Sequence, residues 1–168
     1  MRVATSFLLT GLAATPALAA DMNVSVEIPR LSVAEYHRPY VAMWVEKPDQ
    51  SVAANLAVWY DFDMKDNEGT KWLRDLRTWW RKTGRELTMP VDGITGATRA
   101  PGTHRQSFNA ARLKGLTPGS YNLVVEAARE VGGREIVRVP FQWPPKARAT
   151  ASAKGSNELS AVALEIKP

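Results

Sequence analysis

The chain has no cysteine and only two histidines, and no run beyond its first residues is apolar enough to cross a bilayer. Without cysteine there are no disulfides, so a hydrophobic core must supply the stability, and a Cys-rich zinc site cannot form. The lipid anchor of a lipoprotein, which needs a cysteine, is excluded. His37 and His104 stand at no recognisable metal-ligand spacing. No G-x-S-x-G elbow accompanies Ser107 beside His104, which argues against a serine hydrolase. Asp61, Asp63, Asp66 and Glu68 lack the D-x-D-x-D-G spacing of a calcium loop and read as a solvated acidic run before a helix. Neither sign of charge dominates. Of 22 Lys and Arg residues, Arg2 would leave with the leader, so 21 face 17 acidic residues at a net charge of +4. That mild, scattered excess does not suggest nucleic acid; outside the inner membrane it suits anionic partners or membrane surfaces. No catalytic residue and no metal ligand is assigned.

The first residues specify export. Met1-Arg2 is a short positive n-region, and Phe7 to Ala14 is apolar but far short of the roughly 20 residues a span requires. Pro16 breaks the stretch, and Ala17-Leu18-Ala19 supplies the small residues of a cleavage site. The expected cut lies before Ala20, giving a signal peptide over 1–19 and a single domain over 20–168.

Period-two patterns dominate that domain. Met22, Val24, Val26 and Ile28 alternate with polar residues, as on a half-buried strand. Tyr40 to Glu46 is apolar on both faces and suits a central strand. Lys47-Pro48-Asp49-Gln50 is turn chemistry leading to Leu56, Val58 and Tyr60. Phe108 to Leu113 is a further strand candidate. Leu116-Thr117-Pro118-Gly119-Ser120-Tyr121 resembles a tyrosine corner feeding the strand Asn122 to Ala127. Gly132-Gly133 turns into Ile136 to Phe141, which Pro144-Pro145 ends. Residues 146–157 read as a polar, small-residue linker, and Val162, Leu164 and Ile166 as a last strand. Between them, Trp72, Leu73, Leu76, Trp79 and Trp80 mark one face of an amphipathic helix over about 70–83, with Thr70 as N-cap and Gly84 as stop. Residues 86–104 form a long Gly-rich loop. The fold class is therefore mainly β: an immunoglobulin-like antiparallel sandwich of about seven strands with one inserted helix.

One stretch of that loop carries chemistry: Asp92-Gly93-Ile94-Thr95-Gly96-Ala97-Thr98. It resembles the D-x-x-[S/T]-G-A-[S/T] sequence read by periplasmic flavin transferases, which esterify the last hydroxyl with FMN. The matching acceptor is Thr98. Gly93 and Gly96 allow positive φ and close backbone approach, and Ala97 is too small to obstruct. Asp92 and Thr95 can hold the loop through side-chain hydrogen bonds to backbone. Thr98 is a weak nucleophile unaided, so the partner enzyme must activate it. A Gly-rich loop that matches by chance is the plain alternative. Trp79 and Trp80 can stack on a flavin ring and Arg99 can balance its phosphate. An apolar helical stripe is normally core, so packing is the first reading for the tryptophans. Arg99 is equally a surface charge.

The helix from Trp72 to Trp80, the segment from Asp92 to Gly102 and the L-x-P-G-x-Y-x-L-x-V-E-A strand together resemble the predicted periplasmic proteins of domain-of-unknown-function family 2271. The resemblance covers nearly the whole mature chain. It implies a single exported sandwich domain working beside flavin transferases and PepSY-type membrane flavoproteins. On that basis the expected function is periplasmic electron transfer, with FMN covalently held on Thr98, a flavin transferase and a PepSY-type membrane reductase as partners, and a membrane-linked redox or iron-reduction system as context. The alternative is a non-catalytic binding or accessory sandwich.

Overall fold

Alternating apolar residues build the frame. The computed structural model describes residues 20–168, so the export segment and its cleavage site lie outside the described residues. Nine strands are found among them: β1 (Asp21–Ile28), β2 (Tyr40–Glu46), β3 (Val52–Trp59), β4 (Thr95–Gly96), β5 (Gly102–Phe108), β6 (Gly119–Ala128), β7 (Arg134–Trp143), β8 (Ala149–Lys154) and β9 (Ala161–Lys167). One sheet has the order β5-β1-β9-β8 and the other β4-β3-β2-β6-β7. All pairings are antiparallel except the short parallel one between β3 and β4. The protein is a β-sandwich, as the alternation predicts.

Between the sheets lies a mainly aliphatic core. Met22, Val24 and Val26 of β1 meet Val41, Met43 and Val45 of β2, Leu123 and Val125 of β6, and Val162 and Leu164 of β9. Each such side chain contributes roughly 1.5–3 kcal/mol by leaving water. The other face of β2 is buried too: Tyr40, Ala42 and Trp44 join Val58, Tyr60, Leu73, Leu76, Trp79, Ile94 and Val124 in a second core. Every residue of β2 is buried, which is why its sequence shows no polar face. The sandwich therefore has a third layer, made by residues between β3 and β4, on the outside of the five-stranded sheet.

The tyrosine corner forms as expected. The Tyr121 hydroxyl donates to the Thr117 carbonyl at 2.8 Å and accepts from the Thr117 N–H at 3.1 Å. The turn at 47–50 and the hairpin over Gly132-Gly133 form as well, closed by Gln50 N–H to Lys47 carbonyl and Gly132 N–H to Arg129 carbonyl bonds.

Four expectations need correction. The helix over 70–83 is two pieces: a kinked 3-10 stretch, Lys65–Asp75, then a short α-helix, α1 (Arg77–Lys82). The break is Leu76, whose ψ of 67° is not helical. Thr70 is no N-cap, since its hydroxyl donates back to the Asn67 carbonyl. The first N–H groups of α1 are met from across the chain: the buried Glu126 carboxylate accepts from Thr78 and Trp79 N–H at 3.1 and 2.8 Å. A carboxylate at a helix N-terminus is favoured by the helix dipole. Second, Phe108 ends β5 rather than starting a strand. Residues Ala110–Leu113 make one helical turn, α2, with the Asn109 side chain accepting the Arg112 N–H. Third, the linker over 146–157 contains strand β8, whose small side chains carry little hydrophobic signal while its backbone pairs with β9. Fourth, the loop over 86–104 contains β4 and the start of β5.

Candidate functional site

The parallel pairing of β4 on β3 places the motif. Val58 lies opposite Thr95 and Trp59 opposite Gly96. Val58 N–H donates to the Ile94 carbonyl at 2.7 Å and Tyr60 N–H to the Gly96 carbonyl at 2.9 Å. Two residues further along both segments, the same alignment sets Thr98 beside Asp61. The Thr98 hydroxyl donates to Asp61 Oδ1 at 2.9 Å. Thr98 is only 8% exposed, where the sequence suggested an open loop.

Gly93, Ile94, Thr95 and Gly96 each have a local structural task. Gly93 has φ of +76°, and a Cβ there would lie 2.5 Å from the Arg112 guanidinium. Gly96 serves close approach rather than positive φ: a Cβ there would lie 3.0 Å from the Trp59 ring, tighter than ordinary contact. Ile94 is buried in the outer core. The Thr95 hydroxyl accepts the Val91 N–H at 2.8 Å, as the loop-holding role requires. Asp92 and Ala97 are exposed, and the Asp92 side chain makes no hydrogen bond among the described residues, so the loop-holding role expected of it falls to Thr95 alone. Arg99 lays its guanidinium over the Trp59 ring, 5.3 Å from the centroid.

Thr98 opens onto a cleft of about 330 Å³. Its lining comes from the segment that enters β2 (Tyr36, His37, Arg38 and Tyr40), from the covering layer (Met64, Trp72 and Asp75), and from Ala128 and Glu130 at and just past the end of β6. Only glycine fits at position 69 beside the Asp61 backbone, since a Cβ there would sit 1.9 Å from the Asp61 carbonyl oxygen. The Tyr40 hydroxyl donates to the Gly69 carbonyl at 3.2 Å, and burial pushes its phenol up to about 12. Burial also raises the Tyr36 phenol. The Tyr36 hydroxyl is buried and has no hydrogen-bond partner among the described residues. Its ring lies 5.8 Å from the guanidinium of Arg129, which the Glu158 carboxylate pins from 2.8 Å. His37 sits between two carboxylates, with Nε2 2.8 Å from Glu35 and Nδ1 3.6 Å from Glu130.

The tryptophans fall where the sequence did not separate them. Trp79 is 1% exposed, packed against Gly84 at a distance that excludes any Cβ there, and its indole N–H donates to Asn55. Trp80 packs half-buried against the outer core, and neither residue lines the cleft. Trp72, from the same stripe, does line it and is 48% exposed. Asp61 and the Tyr36–Tyr40 segment were missed as site residues. Asp61 belongs to an acidic run that reads as a solvated helix start, and only the β3–β4 alignment gives it a partner. Among the described residues, no group of three or more His, Asp or Glu side chains is arranged to hold a metal ion. No helix among them is long and apolar enough to cross a membrane.

No curated protein and no solved structure matches the chain. A family profile does, over residues 21–161, which spans every element from β1 to the first residue of β9. That family is described as predicted periplasmic protein, the compartment that the N-terminal export signal specifies. The chain therefore belongs to the DUF2271 family of predicted periplasmic proteins.

Proposed function

We propose that this protein is a periplasmic electron carrier bearing FMN esterified to Thr98. The observation that carries the reading is the Thr98–Asp61 pair at the cleft, at the end of the D-x-x-T-G-A-T segment. A hydroxyl 2.9 Å from a carboxylate has its proton directed and its remaining lone pairs free, the arrangement of an activatable nucleophile. Attachment joins Thr98 Oγ to the phosphorus of the FMN half of FAD. The pyrophosphate bond breaks, AMP leaves, and the hydroxyl proton passes to Asp61. The mixed aromatic and charged lining of the cleft fits a polar-edged aromatic group. Bound flavin supplies one- and two-electron redox chemistry; the protein holds and orients it. A flavin transferase is the partner that loads Thr98, and a PepSY-type membrane reductase is the electron donor.

Co-expression with a flavin transferase, followed by intact-mass measurement, tests this. The expected result is one FMN phosphoester on the wild type, about 438 Da from the composition of the group, and none on Thr98→Ala. An unmodified wild type refutes the reading, and a modified Thr98→Ala refutes the acceptor. A second reading, a non-catalytic binding module using the same cleft, is favoured by the 8% exposure of Thr98, which leaves a transferase little room to approach without local opening.

A further inference from the structure

Trp72 is the exposed member of six tryptophans, and it stands on the rim of the cleft that Thr98 enters. Met64, which also lines the cleft, is 41% exposed. Large apolar side chains left uncovered beside a concave surface mark a place where something binds. The lining also includes Arg38, whose guanidinium is a donor, and Glu130, whose carboxylate is an acceptor.

Resting on the FMN reading above, we propose that this cleft is the seat of the isoalloxazine ring, with Trp72 covering one of its faces. The ring is planar, and in its oxidised form it is uncharged and electron-poor, so an electron-rich indole is a suitable stacking partner. Its imide N–H needs an acceptor and its two carbonyls need donors, roles open to the Asp75 and Glu130 carboxylates and the Arg38 guanidinium of the lining. Because the oxidised ring is neutral, Asp75 and Glu130 do not oppose it. Trp79 cannot take this role, because its ring is closed in by Gly84 and the outer core. A tether at Thr98 would present the ring at an effective concentration in the millimolar range, so a weak site suffices.

The test uses unmodified mature protein and free FMN, and so does not depend on attachment. Fluorescence anisotropy of dilute FMN is followed as protein is raised to about 1 mM, the concentration a short tether supplies. The expected result is saturable binding to wild type and to Thr98→Ala. Trp72→Ala should weaken it about five- to tenfold, and Trp72→Phe by less, as the loss of a stacked ring predicts. Trp72 is exposed, so the thermal midpoint of both variants should match the wild type. Absence of saturable binding overturns the proposal, as does equal affinity in Trp72→Ala. If free FMN binds through Trp72 while the intact-mass experiment shows no attachment, the seat stands and the covalent reading falls. If attachment occurs without such binding, the seat falls alone.

Discussion

The two cores of this protein are built from different materials. The core between the sheets is mainly aliphatic, with Trp59, Phe108, Tyr121 and Phe141 the aromatic members among its 24 buried residues, and nearly every strand contributes to it. The outer one is rich in aromatic side chains, Tyr40, Trp44, Tyr60 and Trp79, and encloses two carboxylates, Glu46 and Glu126, each 0% exposed. Glu46 accepts from Trp44 Nε1 at 3.0 Å and Arg138 Nε at 3.2 Å, with Lys82 Nζ at 3.3 Å. Glu126 binds the start of α1 and accepts from Arg134 at 2.8 Å. The inner core needs only apolar surface at a spacing of two. The outer layer has few regular elements of its own, so directional polar contacts must fix it to the sheet. The cleft lies at the edge of this second, more conditional layer.

The comparison can be broken most forcefully from the inside. Leu123→Ala removes a fully buried side chain from the aliphatic core and should cost about 2–5 kcal/mol, lowering the denaturation midpoint of the whole domain. Glu126→Gln should cost less, about 1–3 kcal/mol, and locally: a neutral amide is a weaker acceptor for the two α1 N–H groups and leaves Arg134 without its ion pair. Hydrogen exchange should then speed up over residues 77–82 and leave β1 and β9 protected. Uniform acceleration would show that the layers unfold as one.

The smallest expected effects are those of pH, and they act on the two regions from opposite ends of the scale. Tyr40 in the outer layer has a folded value of about 12, above the ordinary 10, because burial disfavours phenolate. Its contribution is complete below pH 10 and is lost as pH rises through 12. Tyr40→Phe should flatten that alkaline limb. Glu135, at the end of the sandwich, behaves in the reverse sense. Burial raises its carboxyl, but the N–H groups of Ser156, Leu159 and Asn157 outweigh that and hold it below the usual carboxylate range. Its contribution is present above the unfolded value and lost as pH falls through the lowered one. Glu135→Gln should flatten the acid limb. Denaturant titrations across the pH range check both variants.

Legibility in the sequence follows the same division. β1, β2, β6, β7 and β9 stand out because one face of each, or both for β2, is buried in a continuous core, and side-chain alternation reports that directly. β8 was hidden because it is an edge strand of Ala, Ser and Thr, held by backbone pairing to β9. The helix was half-legible. Leu73, Leu76 and Trp79 do face the sheet, yet Leu76 breaks the helix, and its N-terminal cap is supplied by a residue on β6. At the candidate site, Gly93, Thr95 and Gly96 have local tasks that residue chemistry alone suggests. The partner of Thr98 is 37 residues away in sequence and appears only with the fold.

The sequence by itself determined the compartment signal, the period-two strands, the tyrosine corner and the motif ending at Thr98, because each depends on residues close together along the chain. Tertiary structure decided that Asp61 meets Thr98, that Trp79 is buried while Trp72 is exposed, and that a cleft exists at all. Those outcomes depend on the parallel register of β4 on β3 and on how a covering layer with its own kink settles on the sheet. Local periodicity carries no record of contacts made across that distance.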